Sequence, residues 1–169
     1  MPTDIYLNNS GLILLHPYLP MLFERLDYLD ETKNWLPEKA ECAVLLLQKM
    51  VQPQGEIQEI DLPLNKLLCG LPLTEPASTD FSPTDQELEM CNSLLTAIMQ
   101  QWQPMQNSSI EAFREAWLQR FGKLAEQEEK WELVVEKKAY DVLLSSLPFS
   151  ISLIKNRWMK KSIVVNWAS

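Results

Sequence analysis

The sequence predicts an α+β fold that is predominantly α-helical, with about six helices and a small antiparallel β-sheet formed by the C-terminal third. Three observations carry that prediction. Up to residue 121, apolar side chains recur at three- and four-residue spacing, the signature of amphipathic helices. Helix-capping signals mark where those stretches begin and end. Beyond residue 122 the pattern changes to β-branched runs at 131–136 and 162–167. Helices followed by strands, rather than alternating with them, point to segregated layers.

The elements follow in order. Ser10 can cap a short turn through 12–15. A longer helix is expected over about 17–29, because Leu19, Leu22, Phe23, Leu26 and Leu29 share a face. Pro17 and Pro20 are tolerated there only in the first turn, where a missing N–H goes unused. Pro37 suits the start of a second helix over 37–51, with Ala40, Ala43, Val44, Leu47 and Val51 as its apolar stripe. Pro53-Gln54-Gly55 breaks it. A third helix over 62–69 carries Leu64, Leu67, Leu68 and Leu71, with Gly70 as its C-terminal cap and Pro72 as its stop. Residues 72–83 are rich in Pro, Ser and Thr and read as an exposed loop.

Thr84 and Glu87 form a capping box in front of a fourth helix over 84–102. Ser108 and Glu111 repeat the signature before a fifth, which carries Phe113, Trp117 and Phe121 and ends at Gly122. Residues 123–127 are placed as a hairpin arm against the strand at 131–136. A short helix over 141–147 ends at Pro148, and residues 162–167 close the chain as a strand.

The chain of 169 residues is expected to form a single domain, 1–169, large enough to fold without disulfides or metal. Its net charge is −8. An acidic chain is a poor match for nonspecific nucleic-acid binding, which depends on Lys and Arg neutralising phosphates. No apolar run reaches transmembrane length, and the first residues lack the basic start of a signal peptide. Charge is also uneven. Residues 1–121 hold 7 basic and 17 acidic side chains, whereas 122–169 hold 8 basic and 6 acidic. Such asymmetry suits two faces with different partners.

Little in the chain carries covalent chemistry. His16 is the only histidine, so any hydrolytic triad would have to use it. It sits in an apolar run beside a helix start, which suits a structural imidazole. Cys42, Cys69 and Cys91 are far apart, form no C-x2-C pair and lie among leucines. That pattern suits reduced, packed thiols rather than a zinc site or a disulfide framework. No catalytic, cofactor-binding or metal-binding residue is assigned. Six tryptophans stand out. Trp102, Trp117 and Trp131 are expected in the core, while Trp158 and Trp167 are divided between core and partner contact. They fall in a basic end with Lys155, Arg157, Lys160 and Lys161. These six residues, 155, 157, 158, 160, 161 and 167, are the candidate partner-binding set, a basic end that carries two tryptophans, the residue type that dominates interface hot spots.

Four strings, in order, carry a resemblance. The first is Asn8-Asn9-Ser10-Gly11-Leu12 leading into Leu15-His16-Pro17-Tyr18-Leu19-Pro20 and Leu22-Phe23-Glu24-Arg25-Leu26. The second is Leu64-Asn65-Lys66-Leu67-Leu68-Cys69-Gly70-Leu71-Pro72. The third joins Asn107-Ser108-Ser109, Phe113-Arg114 and Leu118-Gln119-Arg120-Phe121-Gly122-Lys123-Leu124. The fourth joins Tyr140-Asp141-Val142-Leu143-Leu144, Leu147-Pro148-Phe149-Ser150, Trp158-Met159 and Val165-Asn166-Trp167. Together they resemble the globular domain of contractile injection system tape measure proteins, from about residue 5 to residue 167. The chain departs from that pattern at Phe149, where a Trp is expected, at Asn156-Arg157, where an apolar-Pro pair is expected, and at Asn166, which replaces an acid.

The resemblance implies a non-enzymatic assembly protein of a phage-tail-like particle, with a tube, a contracting sheath and a baseplate. A tape measure sets tube length by spanning it. As one continuous helix this chain would reach only about 250 Å, and its 11 prolines forbid such a helix. The expectation is therefore an anchoring module. It would dock through its basic end to the tube, the baseplate hub or a cap, in the cytoplasm during assembly and then in the particle. The loop at 72–83 is a second candidate contact. The alternative is a free-standing acidic adaptor or chaperone for a particle component or cargo.

Overall fold

The computed structural model describes residues 4–167. Its sheet differs from the expected one. Five strands, β1 (Ile5–Leu7), β2 (Gly122–Glu126), β3 (Lys130–Val135), β4 (Leu153–Ile154) and β5 (Ser162–Asn166), lie in the order β1-β2-β3-β5-β4. The expectation of a small antiparallel sheet built from the C-terminal third is overturned twice. The sheet is mixed, because β3 and β5 run parallel, with Trp131 opposite Ile163 and Leu133 opposite Val165. It also recruits the N-terminus, because β1 pairs with β2, Leu7 opposite Gly122.

Both departures have a physical reason. A parallel pair needs a crossover of a dozen residues or more. Residues 136–161 provide it, through a 3-10 segment (Ala139–Ser146) and the edge strand β4. The three residues of β1 are too few to display a period of two, and their partner lies more than a hundred positions away. The hairpin of β2 and β3 has the expected antiparallel pairing.

Register sorts the sheet into two faces. Leu7, Leu124, Trp131, Leu133, Val135, Ile163 and Val165 are buried in one continuous apolar core with the helices. The alternate positions, among them Tyr6 and Leu153, face solvent. Core formation of this kind is the main favourable term in folding, at about 25 cal/mol per Å² buried.

The helices are α1 (Leu19–Arg25), α2 (Lys39–Val51), α3 (Pro63–Cys69), α4 (Asp85–Gln101) and α5 (Ile110–Phe113). The helix expected over 17–29 is split. A 3-10 segment (Ser10–Tyr18) carries Pro17, and α1 follows with Pro20 in its first turn. Leu12 to Leu15 are all buried, so this segment threads the core instead of presenting a face to water. Gly11 permits that path, because a Cβ there would collide with the Trp117 carbonyl.

Helices α2, α3 and α4 stand close to their expected spans, although α2 begins at Lys39 rather than Pro37 and has no capping side chain. The Thr84 amide donates to Glu87 Oε1 at 2.8 Å, and the Glu87 amide donates to Thr84 Oγ1 at 3.1 Å. Gly70 closes α3 at φ +78°, and a Cβ there would strike the Trp158 carbonyl. The fifth helix begins one residue late. Ser109, not Ser108, caps it, its Oγ accepting from the Ala112 amide at 3.0 Å. It then widens into a π turn (Arg114–Leu118).

Candidate functional site

The basic end does not form one patch. Residues 155–159 make a strap across the C-terminus of α3 and the loop at 30–34. Asn156 Nδ2 donates to the Leu68 carbonyl at 2.7 Å, and its Oδ1 accepts from the amides of Trp158 and Met159. Arg157 Nη2 donates to the Thr32 carbonyl at 2.7 Å. Trp158 Nε1 donates to the Lys33 carbonyl at 3.0 Å, and its ring packs 4.8 Å from Trp35 and 5.9 Å from Phe23. Lys155 stays exposed, its Nζ donating to the Asn156 carbonyl at 3.3 Å. Arg157 and Trp158 thus fasten the C-terminal segment to the loop between α1 and α2.

Trp167 lies elsewhere. It is 6% exposed. Its Nε1 donates to Asp141 Oδ2 at 3.0 Å, and its ring stacks under the Arg120 guanidinium at 5.2 Å. That side chain belongs to the core.

Lys160 and Lys161 do come together, on the rim of a groove of about 260 Å³ lined also by Leu67, Leu71, Leu73 and Trp131. Lys161 donates to Glu126 Oε2 and to the Gln127 carbonyl, both at 2.9 Å. Lys160 is exposed and has no hydrogen-bond or ion-pair partner among the described residues. The groove is smaller than the roughly 300–1,000 Å³ of small-molecule sites, and its size suits one or two inserted side chains.

One wall of the groove is the start of the 72–83 loop, so the structure joins the two contact regions that the sequence suggested separately. That loop is fastened rather than loose. The Ala77 amide donates to Glu59 Oε2 at 3.2 Å, and the Ser78 amide donates to Glu41 Oε1 at 2.5 Å. The ammonium of Lys66 pairs with Glu59 and reaches the Leu73 carbonyl at 3.5 Å. Burial pushes the Glu59 carboxyl up. Hydrogen bonds from Lys66 and Ala77, with the charge of Lys66, outweigh it and hold the group below its ordinary value.

His16 and Cys42 are half-buried, and Cys69 and Cys91 are buried. His16 Nε2 donates to the Ser150 carbonyl at 2.8 Å, and the imidazole meets the edge of Phe149 at 5.6 Å. Burial lowers its pKa, partly offset by that bond. Burial also raises the Cys69 and Cys91 thiols, the latter to about 12, and so suppresses the reactive thiolate. Among the described residues no three His, Cys, Asp or Glu side chains lie where they could hold a metal ion, and no helix is long and apolar enough to cross a membrane.

No curated protein and no solved structure matches the chain. The family model described as contractile injection system tape measure protein matches residues 1–167. That match covers nearly the whole length, in agreement with the four ordered strings, and the chain belongs to the contractile injection system tape measure protein family, as a structural component of the injection particle with protein partners inside it.

Proposed function

We propose that this chain is a non-enzymatic anchoring module of a tape measure protein, which helps set inner-tube length by docking to the tube, the baseplate hub or a cap. The observation that carries the reading is the groove at Lys160. It combines an apolar floor, Trp131 with Leu67, Leu71 and Leu73, and an ammonium that has no partner among the described residues. A buried aromatic floor beside an unpaired charge at the rim is the usual anatomy of a protein contact.

The dimensions support anchoring over ruling. The longest helix among the described residues, α4, has 17 residues, or about 26 Å. The rest of the described chain folds back on itself around one core. Assembly in the cytoplasm before incorporation into the particle fits the reduced thiols.

The test is capture of purified tube, baseplate-hub and cap proteins by this chain and by a Leu73→Asp/Lys160→Glu variant. The expected result is retention of one component and at least a tenfold loss in the variant. Failure of the unaltered chain to retain any of the three overturns the docking role.

A further inference from the structure

A second cleft, of about 390 Å³, shares no lining residue with the groove. It opens between α2, α4 and the start of α5. Its apolar walls include Leu46, Leu88 and Ile110, and Arg114 lies at its base. An adjoining cleft shares Arg114, Glu111, Pro53 and Gln54 with it, so the two form one trough along the turn at 52–55.

Arg114 is the unusual group here. It is 8% exposed, and burial lowers its pKa. Its Nε donates to the Met50 carbonyl at 2.7 Å, and its Nη2 donates to Asn92 Oδ1 at 3.3 Å. Both acceptors are neutral. The one carboxylate paired with it among the described residues is Glu111, whose Oε1 stands 3.7 Å from Nη1 and whose side chain is 78% exposed. That distance is too long for a hydrogen bond. Lys49 lines the same cleft, its Nζ donating to the Gly55 carbonyl at 2.9 Å. Two cations thus face two solvated carboxylates along the trough, Glu111 and Glu115, neither of which forms a hydrogen bond to Arg114. A buried charge without close compensation is costly, and a planar guanidinium fork is shaped for a carboxylate. Arg114 also opens the π turn, with the Gln119 amide donating to its carbonyl at 2.9 Å; such turns often mark functional positions.

We propose that this trough binds a segment of a partner polypeptide through a glutamate or aspartate side chain. The carboxylate would seat on Arg114, with an adjacent apolar side chain against Leu88 and Ile110. Charge complementarity at Arg114 selects an anion. Glu111 at the rim repels a multiply charged one such as phosphate. A trough continuous past Arg114 suits a chain passing through rather than one ending there. That the partner is a polypeptide rests on membership of the particle family; the docking role of the Lys160 groove is not required.

The experiment is an NMR titration of the ¹⁵N-labelled chain with three peptides and inorganic phosphate, following Arg114 Nε–H and the Leu88 amide. Acetyl-Ala-Leu-Glu-amide should give saturable shifts. Acetyl-Ala-Leu-Gln-amide, acetyl-Ala-Ala-Leu with a free C-terminus, and phosphate should each bind at least tenfold more weakly. Arg114→Met should abolish the glutamate response. Should that variant fail to fold, Leu88→Glu, a change at a partly exposed rim position, should weaken binding at least tenfold. Equal binding of the Gln peptide, stronger binding of phosphate or of the free C-terminus, or no shift at Arg114 would each overturn the proposal. None of these readouts involves Lys160 or a particle protein, so failure here and failure of the anchoring role are separate results.

Discussion

Arg114 and Arg120 stand on the same short stretch of backbone and both are buried, yet their surroundings are opposite. Arg120 is fully enclosed. Its fork meets Asp141 at 2.6 and 3.0 Å, its Nε and Nη1 also reach the carbonyls of Ala116 and Glu136, and three aromatic rings pack against it. Asp141 in turn accepts from the Lys138 amide and from Trp167. Arg114 has two neutral acceptors and a distant, solvated carboxylate. The comparison teaches how burial should be read. A buried charge whose donors are met on every side is a joint of the fold. One left partly uncompensated at the base of a cleft is open to a ligand.

The largest effect should come from opening the joint. Asp141→Ala leaves Arg120 buried without its anion and should destabilise the fold by about 3–5 kcal/mol, read by urea unfolding. A loss below about 1 kcal/mol would remove the contrast between the two arginines. Acid should act on the same pair. Burial raises the Asp141 carboxyl, but hydrogen bonds from Arg120, Lys138 and Trp167, with the charge of Arg120, hold it below its ordinary 3.8. A carboxyl depressed in the folded state contributes stability that is complete above the unfolded value and is lost as pH falls through the folded one. Unfolding free energy should therefore decline as pH drops below 3.8, and Asp141→Ala should flatten that decline.

Smaller changes sharpen the same contrast. Trp167→Phe keeps a ring for Arg120 and removes one donor to Asp141, so it should cost about 1.5–3 kcal/mol. Arg114→Met removes two bonds to neutral acceptors and also removes a desolvated charge, so a loss near 1 kcal/mol is expected. Glu111→Gln should change stability least, by under about 0.5 kcal/mol, because its carboxylate is solvated. Arg114→Met matching Asp141→Ala in the same unfolding series would show that Arg114 is a joint too.

The candidate surfaces were only partly legible in the chain. Lys160 and Lys161 were singled out by charge, and both line the groove. Trp167 was singled out with them, yet it is core, because its indole N–H finds Asp141 across the fold. Nothing in the spacing of Arg120 and Asp141 signals a bidentate pair. Arg114 carries no local mark either, since its environment is built by α2, α4 and the turn at 52–55. The sequence divides Trp158 between core and partner contact, and the strap to the loop at 30–34 packs its ring against Trp35 and Phe23, while Arg157 stays exposed beside it.

Local physics decided what the residues alone could announce. The start of α4 depends on its capping box, and the start and stop of α3 depend on a first-turn proline and a left-handed glycine, all within a few positions of the backbone they act on. The β2–β3 hairpin likewise joins neighbouring segments, so its pairing could be read directly. The order of the four strings was enough to place the chain in its family, where composition alone was silent. Tertiary structure alone decided the parallel pairing of β3 with β5, the recruitment of β1, the burial of Trp167 and the difference between the two arginines. Each of these depends on groups far apart in sequence, whose burial and partners exist only once the single core has closed around them.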